Sequence, residues 1–97
     1  MANYIMQIFR AYAMVVFSWG FENPTVIANG IRFKVRGFKF QGTVKVEYNE
    51  GSDLFDISLS DGTTVESVYV DSLIQTIDNL VEKTDNYHER IKQEYNI

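Results

Sequence analysis

Along residues 3–19 the apolar side chains Ile5, Ile8, Phe9, Tyr12, Val15, Val16 and Trp19 recur at intervals of three and four, the periodicity of one helical face. The pattern predicts an amphipathic helix with Asn3 as its N-cap. Gly20 falls where a left-handed C-terminal cap belongs, Phe21 supplies the apolar contact that accompanies such a cap, and Pro24 forbids continuation. Met14 and Phe17 add apolar surface off the main face, which predicts a helix covered on more than one side.

From Val26 onward the period becomes two. Asn29-Gly30 lies between short apolar runs and predicts a hairpin on a type I′ turn, whose central positions both need positive φ. Ile31, Phe33 and Val35 occupy odd positions, whereas Phe38, Phe40, Val44, Val46 and Tyr48 occupy even ones, so the apolar phase inverts at Gly37. A period of two inverts only where a residue is inserted or the chain turns over; the expectation is a β-bulge at Gly37 and a second bend at Gly42. Opposing Val46 to Ile57 brings Val44 to Leu59 and Tyr48 to Phe55, and leaves residues 49–54 to turn around Gly51-Ser52 in a type II′ turn. Ser60-Asp61-Gly62 then reads as a three-residue loop ending in a glycine bulge, because only an odd loop keeps Val65 and Tyr69 on the face of Ile57 and Phe55.

Val70, Ile74, Ile77, Val81, Thr84, His88, Ile91 and Tyr95 are spaced alternately four and three apart. This heptad-like stripe predicts a long helix opened by Asp71 as N-cap, about 25 residues and about 37 Å in length. Thr84 and His88 weaken the seam, and Asn86 with Glu89 can cap a fresh helix, so a break near residues 84–86 is the alternative. With 97 residues and 45% hydrophobic content there is material for one core. The expected fold is a single α+β domain over residues 1–97: an N-terminal helix, a bent antiparallel sheet of four to five strands, and the long C-terminal helix, with helices closing the apolar face of the sheet.

The absence of cysteine excludes disulfides, thiolate metal sites and a cysteine nucleophile, and fits a reducing cytosol. The apolar run over residues 11–17 falls short of the ~20 residues of a membrane span and lacks the flanks of a signal peptide. A cytoplasmic protein without a membrane partner is therefore expected. The formal charge of −4 hides a division along the chain. Residues 24–46 hold five cations (Arg32, Lys34, Arg36, Lys39, Lys45) and no acid, whereas residues 47–82 hold nine acids and no cation. The folded molecule should be dipolar.

Arg32, Lys34 and Arg36 would project from one strand face about 6 to 7 Å apart, a spacing that suits a phosphate backbone, with Lys39 beyond them and Phe38 or Phe40 available for stacking if exposed. A pI near 4.8 and the acidic block argue against general attraction to polyanions. A half-buried sheet with a basic solvent face is the preferred reading, and a nucleic-acid-binding accessory protein using residues 31–45 is the alternative. Glu47 opposite Asp56, with Glu50 and Asp53 in the loop, lacks the ligand spacing of a calcium motif and reads as a solvated acidic rim. His88 has no second ligand at zinc spacing, and no nucleophile motif, phosphate-binding loop or dinucleotide fingerprint is present. No cofactor, metal or catalytic residue is expected. The preferred function is a small non-catalytic interaction or regulatory module that binds another protein or itself. Thr84, His88, Ile91 and Tyr95 form its interaction stripe, and homodimerisation is the simplest way to cover it.

The residues Trp19-Gly20-Phe21, Asn23-Pro24, Asn29-Gly30-Ile31-Arg32-Phe33, Gly37-Phe38, Tyr48-Asn49-Glu50-Gly51, Val68-Tyr69-Val70-Asp71 and Ile77-Asp78 give the chain a further likeness. From Trp19 onward it resembles a group of small proteins typical of anaerobic gut bacteria and their mobile elements. The resemblance implies a bacterial cytoplasmic origin and an accessory role on an integrated element, and transfers no site residue.

Overall fold

The computed structural model describes residues 1–82. The N-terminal apolar stripe forms two helices, α1 (Ala2–Ala11) and α2 (Ala13–Ser18), rather than the single one expected. They part at Tyr12, whose φ of −119° and ψ of 40° leave the helical region. Met1, not Asn3, occupies the N-cap position. The break re-aims the stripe. Ile5, Phe9, Val16 and Trp19 are buried, whereas Tyr12 is exposed. Phe9 meets the edges of Trp19 and Phe33 at 5.8 and 5.4 Å, and Trp19 stacks on Phe33 at 6.5 Å. Met14 and Phe17 are not covered as expected: they stand 86% and 73% exposed on the outer side of α2. Gly20 ends the pair as expected, at φ +70° with its N–H donating to the Phe17 carbonyl at 3.0 Å.

Five antiparallel strands follow in an unbroken meander, β1 (Glu22–Ile27), β2 (Gly30–Arg36), β3 (Gln41–Asn49), β4 (Leu54–Leu59) and β5 (Thr64–Val68), ordered β1-β2-β3-β4-β5 in the sheet. Pro24 is tolerated because β1 is an edge strand, and Asn23 at φ 54° accompanies the register shift beside it. The first hairpin turns on Ala28-Asn29, since Ile27 pairs with Gly30, and neither turn residue has positive φ. Gly30 is required for a different reason: a Cβ there would lie 1.8 Å from the Val46 carbonyl oxygen.

Gly37 is not a bulge. Arg36 pairs with Gln41, so residues 37–40 are a hairpin loop and the chain turns over where the apolar phase inverts. Gly42, at φ +152°, lies inside β3 opposite Val35 and not at a separate bend. The next hairpin has the expected pairs Val44 with Leu59, Val46 with Ile57 and Tyr48 with Phe55. Its turn differs: Asn49 Oδ1 accepts the N–H groups of Gly51 and Ser52, and the left-handed residue is Asp53 at φ 60° rather than Gly51. Ser60-Asp61-Gly62 forms the expected three-residue loop, with Gly62 at φ +96° and the Leu59 N–H donating to Thr63 O at 2.8 Å. Val65 faces Ile57, but a shift before Val68, with Ser67 at φ 60°, brings Val68 opposite Phe55 and leaves Tyr69 67% exposed, contrary to expectation.

A 3₁₀ turn at Val70–Ser72 contains Asp71, so the N-cap of α3 (Leu73–Val81) is Ser72 and not Asp71. Leu73, Ile74, Ile77 and Val81 are buried, whereas Val70 is 38% exposed. The expected long helix is instead a nine-residue one closing on Glu82. The loop of the β2–β3 hairpin explains the stop: the Val81 carbonyl accepts the N–H of Lys39 at 2.7 Å and of Phe40 at 3.2 Å, and Glu82 Oε1 accepts the N–H of Phe38. All three helices lie on one face of the sheet, where a continuous core runs from Ile5 through Phe33 and Val46 to Ile77. Among the described residues the other face carries no helix, and no helix is long and apolar enough to cross a membrane.

Candidate interaction surfaces

Alternation places Arg32, Lys34 and Arg36 on the open face of β2, between the buried Ile31, Phe33 and Val35. The basic stretch is thus one side of a half-buried strand, and its aromatic Phe33 is unavailable for stacking. The four sequence-selected cations do not act alike. Arg36 pairs with Glu22 at 3.4 Å across exposed side chains, a contact of small energetic weight. Lys39 belongs to the helix cap: besides its N–H, its Nζ donates to the Asn79 carbonyl at 3.3 Å, at the helix end where a cation is favoured. Arg32 and Lys34 remain on the open face beside a shallow depression of about 390 Å³ whose walls include Asn23, Thr25 and Thr43. Phe38 is 75% exposed and Phe40 half-buried.

The sheet adds a residue that sequence reasoning left out of this group. Lys45 of β3 is the direct partner of Arg32. Two like charges thus oppose each other across the strands, and among the described residues neither they nor Lys34 form an ion pair. The β2–β3 register was the missing signal, and it depends on recognising residues 37–40 as a turn.

Two residues further along β3, on the same face, Glu47 opposes Asp56 as expected. Asp56 Oδ1 accepts the N–H of Ser67 at the β5 irregularity, at 3.1 Å. Past this row, the Tyr48 hydroxyl donates to Asp53 Oδ1. That hydrogen bond, then slight desolvation and the charges of Asp53 and Glu50, raise the Tyr48 pKa above its ordinary value of 10.0. Across the sheet at the last hairpin, the backbone N–H and then the hydroxyl of Thr63 hold Asp61 below its ordinary 3.8. Among the described residues no group of three or more histidines, cysteines or carboxylates gathers as a metal would need.

The helical layer offers the second surface. A groove of about 500 Å³ runs between α1–α2 and α3, with Ile8, Tyr12, Val15 and Ile74 as its apolar walls and Asp71 and Asp78 on its rim. Asp78 also receives the buried indole of Trp19, Nε1 donating at 3.0 Å. Beside the groove stand Met14 and Phe17, three residues apart on the outer side of α2. Both lie off the main apolar stripe, and the second covering layer expected over them is absent among the described residues. Thr84, His88, Ile91 and Tyr95 lie outside the described residues.

Comparisons of the chain with protein-family models, curated proteins and solved structures found no match.

Proposed function

We propose that this chain is a non-catalytic interaction module whose ligand is another protein molecule, held against the helical layer. The observation that supports this reading is the outer side of α2, where Met14 is 86% and Phe17 73% exposed beside Tyr12 at 53%. Residues three apart on a helix are neighbours, so Met14 and Phe17 make one apolar patch, flanked by the groove against α3. The stripe of Thr84, His88, Ile91 and Tyr95 belongs to the same proposal as a second contact for the partner, as do the bacterial cytoplasmic setting and the accessory role on a mobile element.

The test is the mass at which the tagged chain elutes from its native cell extract. A complex larger than the monomer should form, and Met14→Asp/Phe17→Asp should return the chain to monomer mass with an unchanged circular dichroism spectrum. A complex indifferent to that double substitution overturns the reading. The nucleic-acid alternative is tested in parallel with a single-stranded oligonucleotide at physiological salt. Binding should be no tighter than the non-specific range of about 10⁻⁴ to 10⁻⁶ M. Submicromolar binding lost in Arg32→Glu/Lys34→Glu would put the alternative first.

A further inference from the structure

The open face of the sheet carries two like-charged pairs in consecutive rows. Arg32 opposes Lys45, and two residues along β3 Glu47 opposes Asp56. Each pair is repulsive within its row. The rows lie about 7 Å apart, because two residues of a strand span that distance. Around them, apart from Lys34 beside Arg32, the face is low. Gly30 lies beside Glu47, and Ser58 and Thr43 flank the cations. A uniform polyanion laid along the strands would meet cations in one row and carboxylates in the next. A surface with the same two rows in reverse order would satisfy both. The chain itself presents such a surface.

We propose that two copies of this chain associate through the open faces of their sheets, about a two-fold axis that crosses the strands between the Arg32–Lys45 row and the Glu47–Asp56 row. The rotation exchanges the rows while keeping each strand over its own counterpart, so Lys45 of each copy lies over Glu47 of the other. Arg32 lies one strand to one side, over Gly30, and Asp56 one strand to the other side, over Ser58, and one patch serves both sides. The contact uses neither Met14 nor Phe17 and stands independently of the helical surface. Its attraction is ionic and accessible to solvent, so it weakens as salt shortens the screening length from about 30 Å at 0.01 M to about 3 Å at 1 M.

Light scattering on the wild-type chain should give twice the monomer mass at about 0.01 M salt and the monomer mass near 1 M. Arg32→Glu/Lys45→Glu makes both rows negative, and Glu47→Lys/Asp56→Lys makes both positive. Each variant alone should be monomeric at low salt, whereas an equimolar mixture of the two should recover the dimer mass. Should Asp56→Lys disturb the fold through the lost Ser67 contact, Glu47→Lys alone replaces it in the mixture. A wild-type chain monomeric at low salt overturns the proposal. So does a dimer that persists at high salt, or one that survives in either charge-reversed variant alone. Loss of this dimer with Met14→Asp/Phe17→Asp, and not with charge reversal, would assign self-association to the helical patch instead.

Discussion

The backbone at Gly37 lies so close to Val81 that a Cβ on the glycine would fall 2.2 Å from Val81 Cγ1 and 2.3 Å from its carbonyl oxygen. This contact lets the hairpin loop reach over the end of α3 and supply the N–H groups of Lys39 and Phe40 to that same carbonyl. Gly37→Val should destabilise the domain by about 1 to 3 kcal/mol, the range for forcing extra volume into a packed contact. Measured against Val81→Ala alone, which bears its own cavity cost because Val81 is buried, Gly37→Val should cost less than in wild type but not nothing, because the methyl clash is gone and the carbonyl one remains. Denaturant titration of wild type, the two single variants and the double variant gives both costs, and a Gly37→Val cost of zero in the Val81→Ala background would show that the backbone contact does not matter.

Gly30 meets backbone alone, with the Val46 carbonyl oxygen 1.8 Å and the Glu47 Cα 3.0 Å from where a Cβ would stand. Neither atom can move without opening the β2–β3 ladder, so Gly30→Ala should cost about 3 kcal/mol or more. An Asn29→Gly substitution, by contrast, should be mild, since this turn does not use positive φ. Equal midpoints for Gly30→Ala and wild type in urea would refute the account.

Trp19 is fully buried, and the carboxylate of Asp78 takes its indole N–H. Asp78→Ala should cost about 1 to 3 kcal/mol by leaving that donor unsatisfied, and Asp78→Asn, which keeps an acceptor, should cost less. Tryptophan fluorescence during unfolding follows the change directly. Equal losses for the two substitutions would mean that the hydrogen bond contributes nothing beyond the space Asp78 fills.

Asp61 binds its proton less readily in the folded chain because Thr63 donates to its carboxylate. A depressed folded pKa contributes stability above the ordinary value of 3.8 and loses it as the pH falls through the lower folded value. The melting temperature of wild type should therefore exceed that of Asp61→Ala at neutral pH, with the gap closing below pH 3.8. A gap that stays constant from neutral pH to pH 2 would show that the ionised carboxylate is not what the turn uses.

Strand pairing was legible where alternation had only one solution. Val44, Val46 and Tyr48 can all face Leu59, Ile57 and Phe55 in a single register, and that register is observed. The three-residue loop at Ser60 followed from the same parity argument. The phase inversion at Gly37 admitted both a bulge and a turn, and local sequence contains nothing that separates them; the deciding contact is with Val81, far along the chain. Asn29-Gly30 carried the composition of a type I′ turn, yet the glycine answers to a carbonyl of another strand. The break at Tyr12 is marked by neither glycine nor proline, and what accompanies it is the distant packing of Phe9 and Trp19 against Phe33. For the same reason the basic strand was visible in sequence, but the pairing of Arg32 with Lys45 was not. That pairing appears only once the turn is known.

The meander order of the strands also sets a timetable for folding. Each strand finds its partner in the segment just before or after it, so the hairpins close short loops and can zip as soon as the chain is present. The contacts that fasten α3 reach much further, 44 residues from Phe38 to Glu82 and 59 from Trp19 to Asp78. On an emerging polypeptide the sheet can thus form while the buried side of Trp19 still faces water, with α3 docking after it. Substitutions at that joint should chiefly speed unfolding, and those in the β3–β4 hairpin should chiefly slow folding.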